Sequence, residues 1–411
     1  PVSYQNIFAL SPDTLPSTFS RFSEIENDWV NNILPSETFF AMMPISFAAP
    51  NNFNTYGQGE AKVFEAIFKG VPINTSYGMP LSKINKGYNG FGNPYSSPID
   101  LNLFLQRNAI ISNVFIWSTN QANVNGKYVS GNWNTYNKNL GWNDPSVDNT
   151  LIGVGQGFIV KTEVHAYAMI DNYMRSALGL IVTKEAAVDD DKFWLTLESD
   201  TNTINSTLVG YKNGSTKELD ADFDTEPFMA DYGIFSVLDD KIMSIQGRGD
   251  VFDANDRFNL AVQLPSMGNY TIKLSKTSGL FASGQSVYLL DRETNSSVDL
   301  TKQDYNFVGN EENNQSRFEI LFDDESLNTS DLTKFKDVIV YNERNSIVVK
   351  SNKEKLKTIK IYNLNGELIK NVTDINTLQK TINTNLNAQV LIVQIELVNG
   401  SKLSKKVLIK N

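Results

Sequence analysis

Along much of this chain apolar and polar residues alternate over short runs, the period of a strand with one buried face. Lys192-Phe193-Trp194-Leu195-Thr196-Leu197 and the stretches 268–274 and 286–291 are examples. Turn-rich segments separate them at the spacing of a β-sandwich. The pattern recurs near the C-terminus at 337–341, 346–351, 357–362, 389–398 and 402–410, and Leu391, Val393, Ile395 and Leu397 share one face. Asn365-Gly366 and Asn399-Gly400 lie between apolar runs. A type I′ turn needs positive φ at both central residues, so each pair predicts a two-residue hairpin. Residues 1–185 are less regular. Their helix signal is Ser97-Pro98-Ile99-Asp100 leading into 101–108, read with Ser97 as N-cap, Pro98 at the first helical position and Asp100 in the first turn. No Gly-rich phosphate loop opens a helix, and strands do not alternate with helices. The expected fold is all-β: tandem sandwich or jelly-roll-like modules followed by a small antiparallel C-terminal sheet unit.

Composition narrows the function. The 411 residues carry 46 acidic and 36 basic side chains, a formal charge of −10. That balance argues against the whole chain binding nucleic acid or anionic membrane. Apolar content of 41% and aromatic content of 11% are too high for disorder. The longest apolar runs, 178–182 and 390–393, are far too short for a membrane helix, so a soluble chain is expected. Without cysteine there are no disulfides, zinc–thiolate sites, iron–sulfur clusters or Cys nucleophiles. With one histidine, His165, a two-His metal site is impossible, and any Ser-His-Asp triad would have to use it. The 48 asparagines point to many turns and polar loops. A start at Pro1 reads as a mature product or a fragment from which any signal peptide is gone.

Charge divides the chain. Residues 333–411 hold 14 basic and 6 acidic side chains, while the first 332 hold 22 and 40. The break follows the acidic, aperiodic stretch 323–331, which reads as an exposed, cleavable linker. The expected domains are an irregular β-rich module (1–185), a sandwich (191–323), a linker (324–333) and a basic tail (334–411). Lysines on the last strand suit either a blunted edge or docking onto an acidic partner.

The tail's Tyr362-Asn363-Leu364-Asn365-Gly366-Glu367-Leu368-Ile369, its block Leu386–Ile395 and its Lys-rich ending Gly400–Lys410 resemble the C-terminal sorting domain of type IX secretion cargo from Bacteroidetes. Gln389 and Leu391 depart from the Gly and Tyr usual there. Upstream, Gly92-Asn93-Pro94-Tyr95-Ser96-Ser97-Pro98-Ile99-Asp100 and Gly155-Gln156-Gly157-Phe158-Ile159-Val160-Lys161 resemble blocks of the cell-surface and gliding-associated proteins in such cargo. The 286–300 and 317–322 stretches resemble the ending of their sandwich modules. The resemblance implies an Ig-like sorting domain that docks on the type IX translocon and an outer-membrane β-barrel shuttle, then is removed at the linker by a sortase-like peptidase. It implies a location on the cell surface of a Gram-negative bacterium, after passage through periplasm and outer membrane. The sorting-domain positions carried over are Gly366, Leu386, Leu391, Gly400, Lys402, Lys405, Lys406 and Lys410.

Other readings compete for individual residues. His165 is expected to be structural or exposed, with no identifiable catalytic partner. Asp253, Asn255 and Asp256, within 250–256, offer oxygen ligands for calcium but lack an EF-hand's Gly and bidentate Glu. The other reading there is a solvated turn, as it is for Asp189-Asp190-Asp191. Trp117, Trp133 and Trp142, with Tyr128 and Tyr136, lie among Asn-rich loops that suit glycan stacking, or else anchor core and loops. No carboxylate spacing selects a glycosidase pair, so a polysaccharide-active enzyme is the third reading after secreted cargo and adhesin. The tail lacks a nucleic-acid fingerprint. No catalysis and no required cofactor are expected.

Overall fold

In the computed structural model the chain forms two compact units, Pro1–Asp323 and Asp324–Asn411. The structure describes residues 2–3, 19–31, 38–39, 41–46, 71–117, 133–176, 190–200, 202–310, 313–323, 338–343, 346–363, 366–384, 389–400 and 402–409. The fold is all-β, with one α-helix among the described residues.

In the first unit, strands between 191 and 321 make two facing sheets. One has the order Ile245–Gly247, Thr203–Tyr211, Asp191–Ser199, Gly268–Ser278, Tyr305–Gly309. The other runs Lys241–Met243, Gly233–Leu238, Phe258–Gln263, Asn313–Leu321, Tyr288–Asp291, Ser296–Asp299. Alternate residues point inward, as the pleat requires, so Phe193, Leu195 and Leu197 meet Leu260, Leu289 and Phe318 in one core. Apart from Thr203–Tyr211 with Ile245–Gly247, which is parallel, these pairs are antiparallel.

The more irregular half is built on a sheet ordered Gly141–Trp142, Trp133–Asn137, Asn113–Trp117, Gly157–Lys161, Tyr88–Gly92. One face packs Phe91, Val114, Phe158 and Val160 on Phe104 and Leu105 of the helix Leu101–Arg107. The other face packs Tyr88, Phe115 and Ile159 on Phe228. The helix starts later than the sequence suggests. Asp100, not Ser97, is the N-cap, its side chain accepting from the N–H groups of Asn102 and Leu103. Ile99–Asp100 instead pairs with Leu151–Ile152, which holds the chain extended up to the cap and leaves Pro98 outside the helix.

Asparagine does more here than fill loops. The Asn108 side chain accepts from Met169 N–H and donates to the carbonyls of Met169 and Phe104. Asn93 donates to the carbonyls of Ser97, Ile152 and Gly153 and accepts from Tyr95 N–H. A primary amide presents the same donor and acceptor as a peptide, so it satisfies buried backbone where no strand partner exists. The same device joins the halves of this unit. Asn143 accepts from Thr135 N–H and donates to Ser206 O, and Asn137 donates to the hydroxyl of Thr225. Leu140 seals the joint among Trp194, Leu208, Phe223 and Ile245.

The second unit is a sandwich of three and four strands. Val338–Glu343, Ser346–Ser351 and Gln379–Asn383 form one sheet; Leu368–Val372, Leu356–Tyr362, Gln389–Leu397 and Lys402–Ile409 form the other. Its core holds Ile347, Val349, Ile359, Ile361, Leu391, Val393, Ile395 and Val407. Leu368–Val372 and Gln379–Asn383 were not legible as strands. Both are mostly exposed edge strands, and Ile382 is the one buried residue of the latter. The Asn-Gly hairpins also differ from the two-residue expectation. Gly366 donates to Asn363 O while Asn363 donates to Glu367 O, so Gly366 closes a three-residue loop with φ +81°. Gly400 donates to Leu397 O in the same way, with φ +89°. The proposed linker, 324–333, lies outside the described residues.

Candidate functional site: an aromatic groove

Strands Asn113–Trp117 and Trp133–Asn137 pair so that Trp117 and Trp133 are direct cross-strand neighbours. Their rings meet edge to face, centroids 5.4 Å apart at 69°. A third indole comes from the hairpin Arg21–Ser23/Asp28–Val30: Trp29 lies parallel to Trp133, 6.2 Å away at 17°. Glu24 fixes this hairpin, its carboxylate accepting from the N–H groups of Ile84, Asn85 and Gly87. Burial opposes ionisation of Glu24, but these bonds hold its pKa below the ordinary value. Pro44 makes the opposite wall, so close to the sheet that a Cβ on Gly90 would stand 2.6 Å from its Cγ. Ser46, Gln156 and Gly157 complete an open groove of about 430 Å³.

The structure brings Trp117 and Trp133 together and sets Trp142 apart. Trp142 is 8% exposed, donates its indole N–H to Asn149 O and packs on Tyr136. It is a core anchor, not a ligand platform, and Tyr128 lies outside the described residues. Trp29 was missed from sequence because its three-residue strand is too short for a readable period. Its contact with Trp133 is made only in the folded chain.

The acidic turn at 250–256 is occupied by the protein's own cations. Arg248 holds Asp256 through both oxygens (2.7 and 2.8 Å), and Tyr211 donates to the same carboxylate. Burial works against ionisation of Asp256, yet the Arg248 pairing keeps its pKa low. Lys217 bridges Asp253 at 3.0 Å. The Asn255 N–H and Lys217 bonds bring Asp253 down to about 2. Asp256 and Asp253 are thus each engaged by a cation of the chain itself. Among the described residues no group of three His, Asp or Glu side chains is placed to hold a metal ion. Asp190 likewise pairs with Lys212 at 2.8 Å.

His165 is exposed, its Nδ1 accepting from Lys83 N–H. In the tail, Leu391 is fully buried in the core and therefore supports the sandwich instead of offering a contact. Gly366 and Gly400 close the two hairpins, and Lys406 is exposed on the edge strand with Lys405 half-buried beside it. Lys402 opens that strand. Leu386 and Lys410 lie outside the described residues. No helix among the described residues is long and apolar enough to cross a membrane.

Comparison with family models places both units. A model for a domain of unknown function, DUF8693, matches residues 1–322. The chain belongs to that family. The match runs through both halves of the first unit, including the groove. A second model, DUF8694, also a domain of unknown function, matches residues 327–409. No curated protein matches the chain.

Proposed function

We propose that this is a non-enzymatic cell-surface protein exported by a type IX secretion system, with residues 1–323 as passenger and the basic tail as the address that docks on the translocon and its barrel shuttle. The observation that carries the reading is the tail's construction. It closes its own aliphatic core, and its last strand, Lys402–Ile409, ends a sheet with one hydrogen-bonded neighbour among the described strands. An edge strand is a common place for a partner to dock, and Ser404 and Lys406 are exposed on it. Such a unit suits recognition independently of whatever it carries. The sorting-domain likeness of Tyr362–Ile369 and of the Lys-rich ending points the same way.

The test is surface display on intact cells, read by antibody against total protein. A chain ending at Asn399 loses Val407 and Ile409 from the tail core and is expected to stay in the periplasm. Replacing Lys402, Lys405, Lys406 and Lys410 by Glu should reduce display less, because rim charges act mainly on encounter rate. Normal display of the truncated chain would overturn the proposal.

A further inference from the structure

We propose that the groove between Trp29, Trp117 and Trp133 binds a neutral polysaccharide, with sugar rings stacked against indole. The inference is independent of the export reading. Three features carry it. First, Trp117 is 40% exposed at the end of its strand, and Trp29 and Trp133 are partly exposed beside it. An indole held there only for packing would gain by burial, since its large apolar face costs free energy in water. Second, none of the described residues walling the groove is charged, although the first 332 residues carry a net charge of −18. Among those residues an anionic ligand would find no cation and a cationic one no carboxylate. The chemistry that remains is a neutral occupant with apolar faces and hydroxyl groups. Third, polar groups stand at the edges. The three indole N–H groups have no acceptor among the described residues, and the Gln156 amide, whose oxygen accepts from Gly153 N–H at 2.7 Å, keeps its NH₂ to donate. The Ser46 hydroxyl is exposed at the rim. Stacking faces ringed by a few donors match a pyranose, whose C–H face is apolar and whose equatorial rim is hydroxylated. A volume of about 430 Å³ lies within the range of small-molecule sites.

Affinity electrophoresis of the full chain tests this, in native gels containing laminarin, galactomannan, xyloglucan or starch, with alginate as the anionic counterpart. At least one neutral gel should retard the protein, and alginate should not. Trp117→Ala should weaken that retardation about ten-fold or more, the weight of a buried aromatic contact. Trp117→Phe, which keeps a ring, should retain most of it. Tyr167→Ala, an exposed aromatic elsewhere (71% exposed), should leave it unchanged. Circular dichroism and urea midpoints confirm that each variant folds. Absence of retardation in every neutral gel, or retardation indifferent to Trp117→Ala, would overturn the proposal. So would tryptophan fluorescence that responds to a proline-rich peptide and to none of these glycans, because aromatic grooves also accept such peptides.

Discussion

The two units close sheets over a core with different chemistry. The sandwich of the first is packed with rings: Phe193, Phe258, Phe281, Phe307, Phe318 and Phe322 share its interior. It also takes charge inside. Arg248 pairs with Asp256 and lies 4.6 Å from the centroid of the Phe258 ring, and Tyr211 donates to the same carboxylate. Arg317 repeats the arrangement with Asp291, Tyr305 and the Phe318 ring. Among its described residues the tail has neither device. Its core cluster is Val, Leu and Ile throughout, and Ser351 is the one buried polar residue among those described. The first unit therefore depends on keeping partners together in low dielectric, and the tail on volume and strand register.

The largest expected effect comes from separating one such pair. Arg248→Met strips Asp256, 4% exposed, of its bidentate partner and leaves it only the half-exposed Lys217, 3.5 Å away, so it should destabilise the first unit by about 3 kcal/mol. All five tryptophans lie before residue 195, so urea unfolding followed by tryptophan fluorescence reads this unit alone. Adding Asp256→Leu should recover much of the loss, because a well-packed apolar pair avoids the desolvation penalty. A single variant that unfolds like the parent would break the contrast between the units.

In the tail the comparable weak point is geometric. Gly366 has open space around its missing Cβ, so Gly366→Val adds no clash, only the strain of φ +81° in a β-branched residue. That should cost about 1–3 kcal/mol, and Gly366→Asn much less, since Asn tolerates positive φ. The change should appear in the far-ultraviolet circular dichroism transition and leave tryptophan fluorescence untouched. If Val and Asn behaved alike, backbone conformation would not be what Gly366 supplies.

This division also decided how much the sequence revealed. Strands with one buried face announce themselves, and Gln389–Leu397 could be read directly because Leu391, Val393, Ile395 and Leu397 face one way. The strand Gln379–Asn383 could not, since one buried residue makes no period. The helix start was misplaced because a Ser-Pro pair and an Asp two residues later are both valid N-terminal signals. The pairing of Ile99–Asp100 with Leu151–Ile152, some 50 residues on, chose between them. The groove was half legible for the same reason. Trp117 and Trp133 stood out, but a three-residue strand that is clamped by Glu24 onto a distant loop brings in Trp29. Long-range polar contacts leave no periodic trace.

The smallest effect is electrostatic and is confined to the first unit. Asp224 is 5% exposed. Burial pushes its pKa up to about 6, against the hydrogen bonds it accepts from Asp220 and Gly247 N–H and with a further push from the Asp220 charge. Because the folded state holds this proton more tightly than the unfolded chain, the contribution is complete below about pH 4 and is lost as pH rises through about 6. Asp256 and Asp291, held below the ordinary value, act in the opposite sense and lose stability as pH falls. The parent curve mixes both signs; the difference between parent and Asp224→Asn isolates the first. That variant should gain on the parent by on the order of 1–2 kcal/mol between pH 4 and 7, read as urea midpoints by tryptophan fluorescence. The tail, with no buried carboxylate among its described residues, should contribute nothing to that difference. A difference that stays flat from pH 4 to 7 would mean that Asp224 ionises in the folded unit as freely as in the unfolded chain.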